Sequence, residues 1–256
     1  MKRLSPFTVI YEDEALTAVD KAAGIAVISG RWDDSGEPLD KLLRKHYGGE
    51  ILVVHRLDRE TSGLVVFARD GETHRRLSAI FEGRRAEKVY IAVVYGRPSW
   101  KETENNLPLV PDGDKRHRTI IDKYQGKAAL TRFRLLGSAG NYSVVEARPA
   151  TGRTHQIRVH LASLGHPIVC DPLYGRDEKP VFLSSFKRGW RGDPLDERPL
   201  LSRLGLHSAE LILPDYREPA AVDGPAAPSP ELRLKAPLPR DMGALIRQME
   251  ICGAFS

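Results

Sequence analysis

Cysteine is scarce in this chain: Cys170 and Cys252 stand alone among 256 residues. They lie far apart and form no CxxC pair. That argues against a disulfide framework and a cysteine-based zinc site, and suits a reducing compartment. Long apolar runs are missing too. No stretch approaches the ~20 apolar residues of a membrane span, and the opening MKRLSPFTVIYEDE holds no run of signal-peptide length. A soluble, cytoplasmic protein without a membrane partner is the expectation. There is no Walker A motif, no GxGxxG after a strand, no GxSxG and no HExxH. His155 and His160 fall on different faces of a helix, and His55, His166 and His207 lack ligand spacing. The histidines therefore read as structural hydrogen-bond formers, not metal ligands. A glycosidase needs two carboxylates facing each other across its substrate. Asp58 and Glu60 are too local for that, and Asp171 stays open as a candidate.

The composition allows a sizeable core, with 41% hydrophobic residues. Lys and Arg exceed Asp and Glu by 39 to 34, an excess that favours a polyanionic partner without naming one. No internal repeat or clear interdomain linker interrupts the chain, so one domain over residues 1–256 is expected. Short strands outnumber helices, and a mixed α+β sheet domain fits best.

The most informative stretch is Leu52 to Ala68, LVVHRLDRETSGLVVFA. Two apolar, Val-rich runs read as buried strands. They hold between them a loop carrying His55, Arg56, Asp58, Arg59, Glu60 and Thr61. Arg56 and Arg59 flank Asp58, and neighbouring guanidinium groups favour an ionised carboxylate, suited to a nucleophile or base. Elsewhere the patterns predict a strand–turn–strand opening over 7–21 and a helix over 38–47. A second helix follows Gly71, and Val89 to Gly96 reads as a central strand. Residues 97–127 read as a hairpin or long excursion, and paired strands run over 128–136 and 142–147. Thr154 is placed to cap a further helix, with Arg158 in its first two turns on a face adjoining the core. Ile168–Cys170 reads as a short strand, 177–203 as irregular, and 204–213 as a core element. A surface loop is expected over 214–230, then a closing strand and a terminal helix. Basic residues concentrate at Arg84, Arg85 and Lys88, and again at Lys115 and Arg116. Such groups can track a phosphate backbone, although a charge run is more often a solvated face. An arginine-flanked carboxylate, a helix bearing Arg158, an aromatic on the central strand and basic patches together suit chemistry on a nucleic-acid base.

These residues carry a family resemblance. HRLDRETSGLVVFA resembles the catalytic motif of the RluA-like pseudouridine synthases, and EKVYIAVVYG resembles their Lys-x-Tyr strand. TGRTHQIRVHLASLGHPIVCD resembles the family's third block, LHSAEL its C-terminal block, and YEDEALTAVDKAAGIAV its opening block. All five occur in family order within about residues 9–213. The resemblance implies a largely antiparallel sheet split by a catalytic cleft, with no metal and no organic cofactor. It implies Asp58 as the catalytic aspartate and Tyr90 as the ring stacking on the target uracil. Arg158 would pair with Asp58, and Arg56 would enter the RNA where the uridine flips out. The implied partner is ribosomal or transfer RNA, the implied state a monomer, and the implied reaction uridine isomerisation. The rival expectations are a catalytically silent RNA-binding protein and a base-directed glycosylase. The sequence departs from the family at Ala22, often proline, and at Cys170, usually glycine. Many relatives also carry an N-terminal S4 domain. Ten residues precede Tyr11, so RNA selection is expected from the catalytic domain itself.

Overall fold

The computed structural model describes residues 5–29, 36–175, 179–217 and 231–253. Most of the expected turn-rich stretch 31–37 and surface loop 214–230 lies outside them. In chain order the first elements are β1 (Phe7–Glu12), β2 (Leu16–Lys21), α1 (Leu39–Tyr47), β3 (Leu52–Val53), β4 (Ser62–Ala68), α2 (Gly71–Glu82) and β5 (Glu87–Tyr95). Next come β6 (Glu102–Asn105), β7 (Leu109–Val110), β8 (Ile120–Ile121), β9 (Thr131–Ala139), β10 (Tyr142–Pro149) and α3 (Gln156–Ser163). A 3-10 turn at Leu183–Ser185 precedes β11 (Leu206–Pro214), β12 (Glu231–Lys235) and α4 (Arg240–Ile251). The chain divides into two compact units, Met1–Lys88 with Ser208–Pro237, and Val89–His207 with Leu238–Ser256.

In the first unit the strand order is β1-β2-β4-β11, with β12 on β11 and β3 on β4. The pairs β1/β2, β2/β4, β3/β4 and β11/β12 are all antiparallel. Every residue of β4 is buried, as its apolar run predicts for a strand covered on both faces. Helix α2 is capped by Asp70, whose carboxylate accepts from the Thr73 N–H and hydroxyl, both at 2.8 Å. The core gathers Leu16, Leu64, Val66, Leu77, Ile80, Leu211 and Leu234. Ala22 donates its N–H to the Pro6 carbonyl at 3.0 Å, a bond that a proline there could not make.

In the second unit the order is β5-β10-β9-β6, antiparallel throughout, with β7 and β8 a separate hairpin. Helix α4 lays Met242, Leu245, Ile246 and Met249 against Val93, Val144 and Val169. The α+β, largely antiparallel class expected from the sequence is what both units show.

Two local expectations change. Thr154 does not cap α3: the N-cap is His155, at φ +53°, with no side-chain cap bond. The Gln156 side-chain Oε1 instead accepts from the Arg153 N–H at 3.0 Å and the Thr151 hydroxyl at 2.7 Å. Ile168–Cys170 is not a strand. Ile168 makes one bridge to Val94, and Cys170 then turns the chain at φ +55°. Left-handed backbone costs a side-chain-bearing residue roughly 1–2 kcal/mol, which is why glycine suits this position.

Candidate active site

In the first unit the loop 54–61 is longer than the pattern implied, because β3 stops at Val53. Leu57 is buried and anchors it, Asp58 is half-buried, and Arg56 is exposed. The Thr61 N–H donates to the Asp58 carbonyl at 3.1 Å, closing a tight turn. Beneath the loop lies Lys21, fully buried at 0% exposure. Its ammonium donates to the carbonyls of Ala22 (3.0 Å), Ile25 (2.8 Å) and Arg59 (3.0 Å). The Arg59 carbonyl also accepts the Gly24 N–H at 2.9 Å, and Arg59 Nε donates to the Gly24 carbonyl at 3.0 Å. Arg59 thus ties the Asp58 loop to residues 21–25. A buried charge is tolerated only when its donors are matched, and these carbonyls are acceptors for the ammonium protons.

His55 replaces a strand neighbour. Where β3 leaves β4, the Val66 N–H donates to His55 Nε2 at 2.9 Å. An accepting Nε2 places the ring proton on Nδ1. The ring stacks on Phe81, centroids 4.5 Å apart. Burial, and then the charge of Lys88, lower its pKa to about 3. The unfolded imidazole titrates near 6.5, so the unfolded chain binds the extra proton first on acidification. The stability tied to the neutral ring is complete above pH ~6.5 and is lost as pH falls toward 3. Urea unfolding of wild type should therefore lose on the order of 2 kcal/mol more over that window than His55→Gln, after allowance for partial exposure. Equal pH slopes would refute the neutral-ring assignment.

Gly63 has φ +114°, and an added Cβ would lie 2.2 Å from the Ser208 carbonyl oxygen and 2.6 Å from its nitrogen. The glycine of the Thr-Ser-Gly motif is there because the backbone of β11 passes through the space of a side chain. Gly63→Ala should cost about 3 kcal/mol or more, combining backbone strain with a clash against main chain that cannot rotate away. Chemical denaturation is the check, and a loss below 1 kcal/mol would contradict the clash. Of the first basic patch, Arg84 and Arg85 are exposed just past the end of α2. Lys88 is half-buried, and burial followed by the Arg84 charge lowers its pKa.

In the second unit Tyr90 lies on β5, 9% exposed, opposite Ala147 of β10. Arg158, 3% exposed, lies in the first turn of α3, as its spacing suggested. Its guanidinium grips Asp171 side-on: Nε donates to Oδ2 at 2.9 Å and Nη2 to Oδ1 at 2.8 Å. Asp171 Oδ1 also accepts the N–H groups of Leu173 (2.9 Å) and Tyr174 (3.1 Å). Burial alone would raise the pKa of this carboxyl. The Arg158 bonds and charge, with the two backbone donors, outweigh it and hold the pKa below the usual range. The Tyr174 ring lies under the guanidinium, 5.2 Å from centroid to Cζ. Its hydroxyl accepts the Thr119 N–H at 2.8 Å and shares a bond with His155 Nδ1 at 2.9 Å. That contact helps hold His155 in its left-handed conformation. His160 stands between the Leu107 carbonyl (3.0 Å) and the Thr131 hydroxyl (3.0 Å). The histidines of α3 are hydrogen-bond formers, as expected. Lys115 and Arg116 are exposed at the tip of the β7–β8 hairpin. Arg118 beside them is engaged by Asp114 and the Leu173 carbonyl. Among the described residues no His, Cys, Asp and Glu cluster could hold a metal ion, and no helix is long and apolar enough to cross a membrane.

A family model described as RNA pseudouridylate synthase matches residues 15–163. The chain belongs to this family. It is 37% identical over 205 residues to the dual-specificity RNA pseudouridine synthase RluA of Vibrio cholerae, covering 79% of this chain and 75% of that one. It is 36% identical over 186 residues to the ribosomal large subunit pseudouridine synthase D of Zymomonas mobilis. That match covers 68% of this chain but only 57% of the relative. The solved structure of human RNA pseudouridylate synthase domain containing 1 superposes with a TM-score of 0.65 at 25% identity, over 98% of both chains. The RluA-like resemblance of the five blocks therefore holds, and the protein is an isomerase of the RNA-modifying kind.

For this RNA pseudouridylate synthase, the sequence left three residues unnoticed that hold candidate residues within their own unit. Asp171 was visible only as a candidate glycosidase carboxylate, and its grip on Arg158 spans a turn that no periodicity reports. Tyr174 completes that cluster. Lys21 passed as an ordinary charge in the opening block. The one signal for it was its place between an apolar strand and a Gly-bearing loop.

Proposed function

We propose that this chain converts specific uridines in RNA to pseudouridine, with Asp58 at the reacting sugar or base carbon. Tyr90 stacks on the uracil, and its hydroxyl is a candidate for the proton transfer at C5. Arg158 pairs with Asp58, and Arg56 enters the RNA where the uridine leaves the stack. The bond from C1′ to N1 breaks, the uracil turns in place, C5 joins C1′, and C5 gives up its proton while N1 gains one. No atom is gained or lost overall, and in this reading, as the family resemblance implies, the reaction uses no metal and no organic cofactor. The observation that carries it is the family match over residues 15–163, a span that contains Asp58, Tyr90 and Arg158 together. One relative's name specifies the ribosomal large subunit and another RNA of dual specificity, and the substrate class in this reading is ribosomal or transfer RNA. The enzyme acts as a cytoplasmic monomer in this reading, with Arg84, Arg85, Lys88, Lys115 and Arg116 meeting phosphates.

Tritium release from RNA carrying 5-tritiated uridine tests the assignment. A synthase releases tritium and leaves the glycosidic framework intact. A glycosylase leaves abasic sites, and a silent binder does neither. Either of the last two outcomes would overturn the reading.

A further inference from the structure

Between Val181 and Leu201 the second unit makes a long excursion whose base is pinned. The Val181 N–H donates to the Leu201 carbonyl at 2.7 Å, and the Leu200 N–H to the Val181 carbonyl at 2.8 Å. After the 3-10 turn, Phe186 is buried, edge-on to Tyr142 at 6.0 Å. Gly140 leaves it room, since a Cβ there would come within 2.7 Å of the Phe186 Cβ. Past this anchor the sequence runs Lys187-Arg188-Gly189-Trp190-Arg191. The Lys187 N–H donates to the Leu183 carbonyl at 3.0 Å and the Trp190 N–H to the Lys187 carbonyl at 3.3 Å. Gly189 makes the bend at φ +67°.

The first leg of the excursion carries only basic charges, Lys187, Arg188 and Arg191, whereas the second leg mixes Arg198 with carboxylates. Those carboxylates are Asp193, Asp196 and Glu197. Asp193 Oδ1 accepts the Leu195 N–H at 2.9 Å, and Glu197 Oε1 accepts the Ser184 N–H at 2.8 Å. These carboxylates close the loop's own backbone. Lys187, Arg188 and Arg191 are exposed, and among the described residues none of them is ion-paired with a carboxylate. Trp190 is half-buried, its indole against the Gly192 backbone, where a Cβ would meet the ring at 2.3 Å. Phe186 already supplies the core anchor, so packing does not account for a second large aromatic at the tip. Unpaired cations take phosphates, and a held indole offers a face on which an unstacked base can lie.

We propose that Lys187–Arg191 form an arm that grips single-stranded RNA outside the target uridine. As a substrate-contacting element it rests on the reading of this chain as a pseudouridine synthase. Its place in the sheet register says which kinetic constant it controls. Phe186 packs on Tyr142, which pairs with Tyr95, whereas Tyr90 pairs with Ala147 at the other end of β10. Five residue steps along β10 separate Tyr142 from Ala147, roughly 17 Å. The arm therefore acts on binding and leaves the chemical step alone.

The test uses the full chain with Lys187→Gln, Arg188→Gln and Arg191→Gln combined, and Trp190→Ala and Trp190→Phe separately. The binding probe is a fluorescent single-stranded oligouridylate, and turnover is read on 5-tritiated RNA. The triple variant should bind at least tenfold more weakly at low salt, with a log K against log salt slope shallower by about two. Its KM should rise while kcat stays within about twofold. Trp190→Ala should weaken binding roughly tenfold without moving the slope, and Trp190→Phe should restore it. Unchanged affinity and slope in the triple variant would overturn the arm. So would loss of binding to anionic phospholipid vesicles with RNA binding intact. If wild type binds the probe through the arm but releases no tritium, the arm stands and the synthase reading fails.

Discussion

Asp58→Asn is expected to lower turnover by roughly four orders of magnitude or more while leaving RNA affinity within about threefold. Loss of a residue that acts on the reacting atoms has effects of that size. The main-chain supports of the loop do not depend on the Asp58 charge. Asp58 is half-buried, and the loop around it is held by other groups: the Leu57 side chain, the Lys21 ammonium on the Arg59 carbonyl, and the paired Gly24 and Arg59 contacts. The amide is isosteric with the carboxylate, so the Thr61 turn on the Asp58 main-chain carbonyl persists. Tritium release measures the rate, filter binding of the same RNA the affinity, and urea unfolding the stability. Retained turnover would sink the assignment of Asp58. A large loss of stability would show instead that the carboxylate is part of the scaffold.

The second large effect is expected at Asp171. Asp171→Asn takes from the buried Arg158 guanidinium the carboxylate charge that grips it side-on. Breaking a buried pair from one side costs about 3–5 kcal/mol. The pH dependence carries a sign. Because the folded pKa of Asp171 is depressed, its contribution is complete above the unfolded value near 3.9. It is lost as pH falls through the folded pKa. Wild type should therefore keep this stability at pH 5 and shed it only in stronger acid, whereas the variant lacks it throughout. Turnover should fall as well, since side-on bonds to Nε and Nη2 fix where the remaining N–H groups of Arg158 point. The combination Arg158→Met with Asp171→Leu separates the two roles. Replacing both charges by apolar groups should recover much of the stability and none of the activity. If the double variant regains turnover, Arg158 has no part in catalysis. If Asp171→Asn is as stable as wild type at pH 7, the buried pair does not hold the helix start.

The sequence by itself determined the fold class and the chemistry. Apolar runs of strand length, the Gly-bounded loop around Asp58 and the helical spacing of Leu39, Leu42 and Leu43 depend on near neighbours, and local pattern reports them well. The five ordered blocks fixed the family through residue identity alone. Boundaries moved where a backbone bond could go to either of two partners. β3 stopped at Val53 because the His55 side chain, and not a further strand residue, takes the Val66 N–H. The cap of α3 fell to Gln156 and His155 because Thr131 and Tyr174, distant in sequence, and Thr151 just upstream offered better partners than Thr154 could. Cys170 could be seen as a departure from glycine, but only its φ of +55° explains why glycine belongs there.

Only the tertiary structure decided how the charges are used. In sequence Lys21, Arg59, Lys88, Arg118 and Lys187 are all basic residues beside loops. In space Lys21 spends its protons on three carbonyls, Arg59 clamps a loop and Lys88 presses on a neutral histidine. Arg118 serves Asp114, and Lys187 stands exposed at the tip of an arm. Removing one charge from a matched, water-poor site costs several kcal/mol, and removing a surface charge costs little. The role of a charge is therefore set by burial and by which donors and acceptors the fold brings to it, and residue type along a chain specifies neither.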